Sequence, residues 1–231
     1  MTATTPALAS RRMRFSAAAL IPAPIIACAL VLTYTGGVDV ISAVLGAVGW
    51  VVALLLRQPV AVLASRRANK ARPAAVVGWF SGPAEELVRL GIVLLAIRTV
   101  DEAVWAGFGW AAVEVLLIAV NTLAVANLLT KDDPKSLEAR AILEGHGMLT
   151  QHHPAWGLFE RLSATMLHIG FTLLLFAEPW LVLLTIPAHS LINVFAVRVA
   201  KKNIALTESV LAVTSMSVLL LGVAAALHSQ L

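Results

Sequence analysis

Apolar residues fill this chain in long unbroken runs rather than along one face of a helix or at alternate positions of a strand. The runs extend over Phe15 to Thr35, Val38 to Leu56, Ala74 to Ile97, Val104 to Leu129, Leu158 to Phe176, Trp180 to Val199 and Leu206 to Leu227. A spanning helix needs ~20 mostly apolar residues to cross ~30 Å of hydrocarbon, and each run is close to that length. The pattern therefore predicts an all-α polytopic membrane bundle of about seven transmembrane helices, forming one integral membrane domain over residues 1–231. No polar segment between the runs is long enough for a separate soluble domain. The longest, over 130–157, opens on Asp133 and Pro134, a pairing suited to a helix N-cap and first helical position. Leu137, Ala141 and Ile142 then recur beside Lys135, Glu138 and Arg140, which predicts a short amphipathic helix on the cytoplasmic surface. His146, His152 and His153 follow it and read as solvated loop histidines rather than metal ligands.

Composition agrees with the pattern. Hydrophobic residues make up 59% of the chain and charged ones 13%, with a mean hydropathy of +0.87, so water is not its only solvent. Charge adds orientation, because short loops rich in Lys and Arg stay in the cytoplasm. Arg11, Arg12 and Arg14, then Arg57, Arg66, Arg67, Lys70 and Arg72, then Lys131, Lys135 and Arg140, then Arg198, Lys201 and Lys202 fall on one side. Arg98, beside Asp101 and Glu102, falls on the other. The N-terminus is expected inside and the C-terminus outside, in a multi-pass protein of the bacterial cytoplasmic (plasma) membrane. The net charge of +4 then reflects contact with the inner leaflet of the bilayer, not with nucleic acid. Cys28 is the single cysteine, which excludes an intramolecular disulfide. Its place after three arginines and an apolar run is like a lipoprotein signal, but the run continues through Val31 and Leu32, so it reads as a cysteine inside the first span.

The informative residues are ionisable groups inside the spans, since a lipid-facing charge at the bilayer centre costs ~2.5–3.5 kcal/mol even on the gentler insertion scale. The third run carries Glu85, Glu86 and Arg89 after Gly82-Pro83, and the fourth carries Glu114. The fifth carries Glu160, Arg161 and His168, and the sixth carries His189 and Asn193. Counting ~1.5 Å per residue places Glu85, Glu114, His168 and His189 roughly 12–17 Å deep, near one plane. Glu85 and Arg89, like His189 and Asn193, are one turn apart on a shared helix face. Two carboxylates, two imidazoles and a carboxamide are thus expected to converge in a cavity, where a carboxylate near a held water suits general-base chemistry.

The motifs Glu85-Glu86-x-x-Arg89, Gly107-x-Gly109-Trp110-Ala111-x-x-Glu114, Glu160-Arg161 to His168, and His189-x-x-x-Asn193 resemble the YhfC family of proposed intramembrane peptidases. That family is grouped with the PrsW proteases and the CAAX prenyl endopeptidase and bacteriocin-immunity proteins. The resemblance covers about half the chain, residues 74–199. It implies catalytic roles for Glu85, Glu86, His168, His189 and Asn193: a glutamate as general base, His168 helping to hold the water, and His189 with Asn193 stabilising the oxyanion. It implies supporting roles for Arg89, Glu114, Glu160 and Arg161. The CAAX group spaces its motif Glu-Glu-x-x-x-Arg, one residue longer than here, which leaves open whether Glu85 or Glu86 is the base.

The function expected is therefore an intramembrane endopeptidase acting on membrane-embedded or lipidated peptides. Its alternatives are a catalytically silent binding or immunity protein of the same fold and a proton or cation transporter. No cofactor is expected, with zinc on Glu85, His168 and His189 the alternative chemistry; no His-Glu-x-x-His motif is present.

Overall fold

A computed structural model describes residues 6–66, 73–145, 153–200 and 202–229. Among them lie nine α-helices: α1 (Pro6–Leu20), α2 (Pro22–Thr35), α3 (Val40–Arg66), α4 (Pro73–Ala96), α5 (Val100–Leu128), α6 (Pro134–Gly145), α7 (Pro154–Ala177), α8 (Val182–Ala200) and α9 (Ile204–His228). A 3-10 turn at Pro179–Leu181 leads into α8. No strand occurs among the described residues. Arg67, Lys70, Arg72, His146, His152 and Lys201 lie outside them.

Local chemistry sets the helix ends. Gly36, at φ +70°, takes the left-handed turn that stops α2, and its N–H donates to Leu32 O at 2.9 Å. Asp39 then opens α3: it accepts from Ser42 N at 3.0 Å and from Ser42 Oγ at 2.8 Å. These hydrogen bonds hold its carboxyl below the ordinary aspartate range. Thr99 and Glu102 form a reciprocal capping box at the start of α5, and Asn203 caps α9. The expected surface helix appears as α6, opened by Asp133, which accepts from Ser136 N and Oγ. His153 caps α7, its Nδ1 accepting from Ala155 N at 3.3 Å.

Six helical segments are long and apolar enough to cross a membrane: Pro6–Thr35, Val40–Leu63, Val100–Leu128, Pro154–Ala177, Pro179–Ala200 and Ile204–His228. The first joins α1 and α2 across Ile21, where Pro22 interrupts the hydrogen-bond ladder. The count is one fewer than the seven the sequence pattern suggests. The helix that drops out is α4, 24 residues long but with Glu85, Glu86 and Arg89 in its middle. It nevertheless runs among the others. Gly49 of α3 lies against Ile92 and Arg57 reaches Glu85, so α3 and α4 are antiparallel; Gly78 meets Val194 and Gly82 meets Ile186, so α4 and α8 are too.

A second correction concerns α3. The apolar run ends at Leu56, but the helix continues to Arg66, because backbone hydrogen bonding and not hydropathy decides where a helix stops. Arg57, counted by sequence among the loop cations, is consequently a helix residue that turns inward.

α5 and α7 form the centre: 56% and 61% of their most apolar windows are buried, against at most 28% in the other spans. Trp105, Val104, Ile169, Leu173 and Leu175 belong to the largest apolar cluster there, while Leu30, Ile41, Leu95, Leu183 and Val213 stay exposed on outer faces. Exposed aliphatic side chains at this density fit a lipid surround. At the contact of α3 and α5, a Cβ on Gly46 would sit 1.9 Å from Ala106 O and one on Gly109 the same distance from Ala43 O. Glycine is what lets these two backbones touch.

Candidate active site

α4 carries the densest polar group, and α3, α5, α7 and α8 each supply its partners. Glu86 is fully buried, and its Oε1 accepts from His189 Nδ1 at 2.7 Å and from Arg89 Nε at 3.3 Å. A carboxylate only accepts, so Nδ1 of His189 carries the hydrogen, and its Nε2 faces Glu85 Oε2 at 3.6 Å. Glu85 is held in turn by Arg57 Nη1 at 2.9 Å on Oε1 and by Trp110 Nε1–H at 3.2 Å on Oε2. Pro83, inside α4, lies two residues before Glu85, and the helix runs through it.

A second arm joins through Arg89. Its guanidinium donates to Thr172 Oγ1 at 2.9 Å, to His168 O at 3.2 Å and to His168 Nδ1 at 2.9 Å, and it stacks 4.2 Å from the Trp110 ring centre. Arginine only donates, so His168 Nδ1 accepts, and its Nε2–H is left to donate to Glu114 Oε2 at 2.8 Å. Arg161 completes the arm, bonded to Glu114 Oε1 at 2.8 Å and to Glu160.

Between the arms lies a cavity of about 120 Å³. Its lining runs from the part-exposed Glu160 and from Arg161, through Glu114, His168 and Asn193, to Glu85 and His189; Trp50 and Arg57 of α3 and Leu211 and Ser215 of α9 close the sides. Glu86 and Arg89 stand behind this lining. Glu85, Glu86 and Glu114 are matched by Arg57, Arg89 and Arg161. Matched pairs are what an interior of low dielectric constant requires, since an unpaired buried charge there costs several kcal/mol.

All nine residues singled out by sequence belong to this constellation, with two differences from the roles the resemblance implies. Both ring nitrogens of His168 are taken by protein groups. The amide of Asn193 donates to Ser81 Oγ at 2.8 Å, tying α8 to α4. Glu85, Glu114 and His168 each offer one oxygen or nitrogen atom within 4.8 Å of one another, enough to hold a cation. That trio shares Glu85 and His168, but not His189, with the zinc set expected. The two carboxylates already face arginines, which compete with a metal for the same oxygens.

Sequence reading missed Trp50, Arg57, Trp110, Thr172 and Glu208. Trp110 lies inside the motif from Gly107 to Glu114, and Arg57 carries the one visible signal, a cation seven residues after Trp50 and hence on its helix face. Glu208 is buried at the start of α9 with no hydrogen-bond partner on Oε2. No family model, curated protein or solved structure matches the chain.

Proposed function

We propose that this chain is an intramembrane peptide hydrolase of the glutamate type, acting on membrane-anchored or lipidated peptides in the cytoplasmic membrane. One observation carries the reading: Glu85 Oε2 and His189 Nε2 stand 3.6 Å apart on the wall of a buried cavity, with the far nitrogen of His189 fixed by Glu86. A water in front of the two finds two acceptors. It donates one O–H to each and keeps its oxygen lone pairs for attack.

Glu85 takes a proton from that water as the oxygen bonds to the peptide carbonyl carbon, and the carbonyl pair moves onto its own oxygen. When the C–N bond breaks, Glu85 returns the proton to the departing nitrogen, so the carboxylate is regenerated. Glu86 fixes the tautomer and angle of His189, as a carboxylate behind an imidazole does in other hydrolytic sites. Glu85 is the base rather than Glu86 because it lines the cavity. His189 in this tautomer accepts from water, a different task from the oxyanion role the resemblance implies. His168, Arg89, Glu114, Arg161 and Glu160 act by position, and Asn193 lines the wall. The arginines on the Glu85 and Glu114 carboxylates favour this chemistry over a zinc-based one.

The test is peptide profiling of membranes from cells making matched amounts of the wild-type chain or of Glu85→Gln, Glu86→Gln and His189→Ala. Cleavage products present with wild type and at least 100-fold reduced with Glu85→Gln support the hydrolase. Identical profiles across all four move the reading to a silent binding or immunity protein. Glu85-dependent ion flux in liposomes would move it to a transporter.

A further inference from the structure

Hydrolysis of an amide needs donors for the oxygen that turns negative, and the two residues the resemblance offers are engaged elsewhere. Asn193 bonds Ser81, and His189 is turned to Glu86 through Nδ1 and to Glu85 through Nε2. Residues that line the cavity carry other donors. Few buried side-chain polar atoms among the described residues lack a hydrogen-bond partner, and three of those that do are N–H groups of residues lining this one cavity: Trp50 Nε1, Arg57 Nε and Arg161 Nε. Such atoms are rare in folded proteins because each costs about 1–3 kcal/mol when unsatisfied.

Their placement is regular. Trp50 and Arg57 are seven residues apart on α3, two helical turns, and so share one face. That face is where α3 meets Trp110 and Glu85. Trp50 is 95% buried, since 5% of its surface is exposed, and it packs with Ala53 and Trp110, which fixes its indole. The carboxylates lining the same wall are occupied: Glu85 by Arg57 and Trp110, Glu114 by Arg161 and His168. Beside the acceptors of Glu85 and His189, the residues of this cavity therefore also carry unpartnered N–H donors, which suit a carbonyl or anionic oxygen.

We infer that the α3 wall is the oxyanion site, with Trp50 Nε1–H and Arg57 Nε–H receiving the carbonyl oxygen of the bound peptide as it becomes negative. The inference rests on the hydrolase reading for its substrate and adds α3, outside the motif-bearing spans, to the machinery. Preorganised donors in a dry site act most strongly where charge develops, and losing one typically lowers kcat by roughly 10²–10³. Trp50 makes the cleaner test, because Arg57 also holds Glu85.

Two measurements keep this inference separable from the hydrolase reading. The first is cleavage of a substrate found by the profiling above, using Trp50→Phe and a chain with 3-benzothienylalanine at position 50, which keeps the ring shape and removes the N–H. Both are expected to lower kcat at least about tenfold with KM within about twofold, while Trp180→Phe, at an exposed position, leaves both unchanged. Full activity in the isostere chain overturns the oxyanion site and leaves the hydrolase standing. The second uses wild-type protein with ¹⁵N-labelled indoles in nanodiscs and needs no turnover. Dimethylphosphinate, a small tetrahedral oxyanion, is expected to shift the Trp50 N–H resonance, assigned by its loss in Trp50→Phe, and tetramethylammonium to leave it in place. A resonance that ignores dimethylphosphinate, or that responds only to the cation, overturns the inference even if the chain cleaves nothing.

Discussion

Arg89 is the residue on which both arms of the site depend. It bonds Glu86 on one side, His168 and Thr172 on the other, and stacks on Trp110 between them. A lysine keeps the charge but has one point from which to donate, so it cannot span Glu86 and His168 together. Arg89→Lys is therefore expected to destabilise the protein by about 2–4 kcal/mol, seen as a lowered thermal midpoint in detergent, with activity lost even at temperatures where the fold survives. Glu85→Gln also strips a charge, from the Arg57 pair, but Arg57 is part-exposed and the amide oxygen still accepts from it, so the midpoint is expected to fall less than in Arg89→Lys while cleavage falls at least as far. That contrast separates the base proposed for Glu85 from the positioning role of Arg89. The nine residues that converge here were readable because a polar or ionisable group inside an apolar run is conspicuous. Trp50 and Trp110 were not, because tryptophan in an apolar run looks like core until its N–H is traced.

Element by element, contact distance matters more than hydropathy. Gly109 and Gly46 let α3 and α5 meet backbone to backbone, and that contact positions Arg57 over Glu85. Gly109→Val forces the helices apart and is expected to cost roughly 1–3 kcal/mol and to reduce activity with it, measured by unfolding in detergent and by cleavage. A milder lever sits at the start of α3. The Asp39 carboxyl is held below its ordinary value by Ser42, so its cap is present at neutral pH and is lost as pH falls through that lowered value. Protection from hydrogen exchange in the first turn of α3 should fall as pH drops through that lowered value in the wild type, and should already be low at neutral pH in Asp39→Ala. The runs predicted most helices to within a few residues, yet misjudged α3 by a whole polar tail. Hydropathy marks where a helix enters lipid, whereas the backbone hydrogen bonds of α3 continue for ten residues beyond Leu56, which is how Arg57 escaped notice as a site residue.

Across the whole molecule, several described basic residues outside the polar cluster sit at one end. Arg14 of α1 bonds Asn127 near the end of α5, Arg140 folds back onto Leu129 O and Lys131 O, and Arg198 occupies the last turn of α8. Arg98, at the other end, donates to the closing carbonyls of α4. The cavity reaches toward the basic end through Glu160 and Arg161. α4 itself raises a question of manufacture. As the chain emerges from the ribosome, α4 arrives with two glutamates and an arginine, while only Arg57 among its outside partners has already been made. His189 and the wall of α8 come about a hundred residues later. Three charges at ~2.5–3.5 kcal/mol apiece make solitary passage into lipid unfavourable. α4 is thus expected to linger at the insertion machinery until α8 arrives. Chains truncated before Pro179 should leave it poorly inserted in a glycosylation-mapping assay, and chains that extend through α8 should carry it fully across, so that α4 becomes secure in the membrane only once its last polar partner has been made.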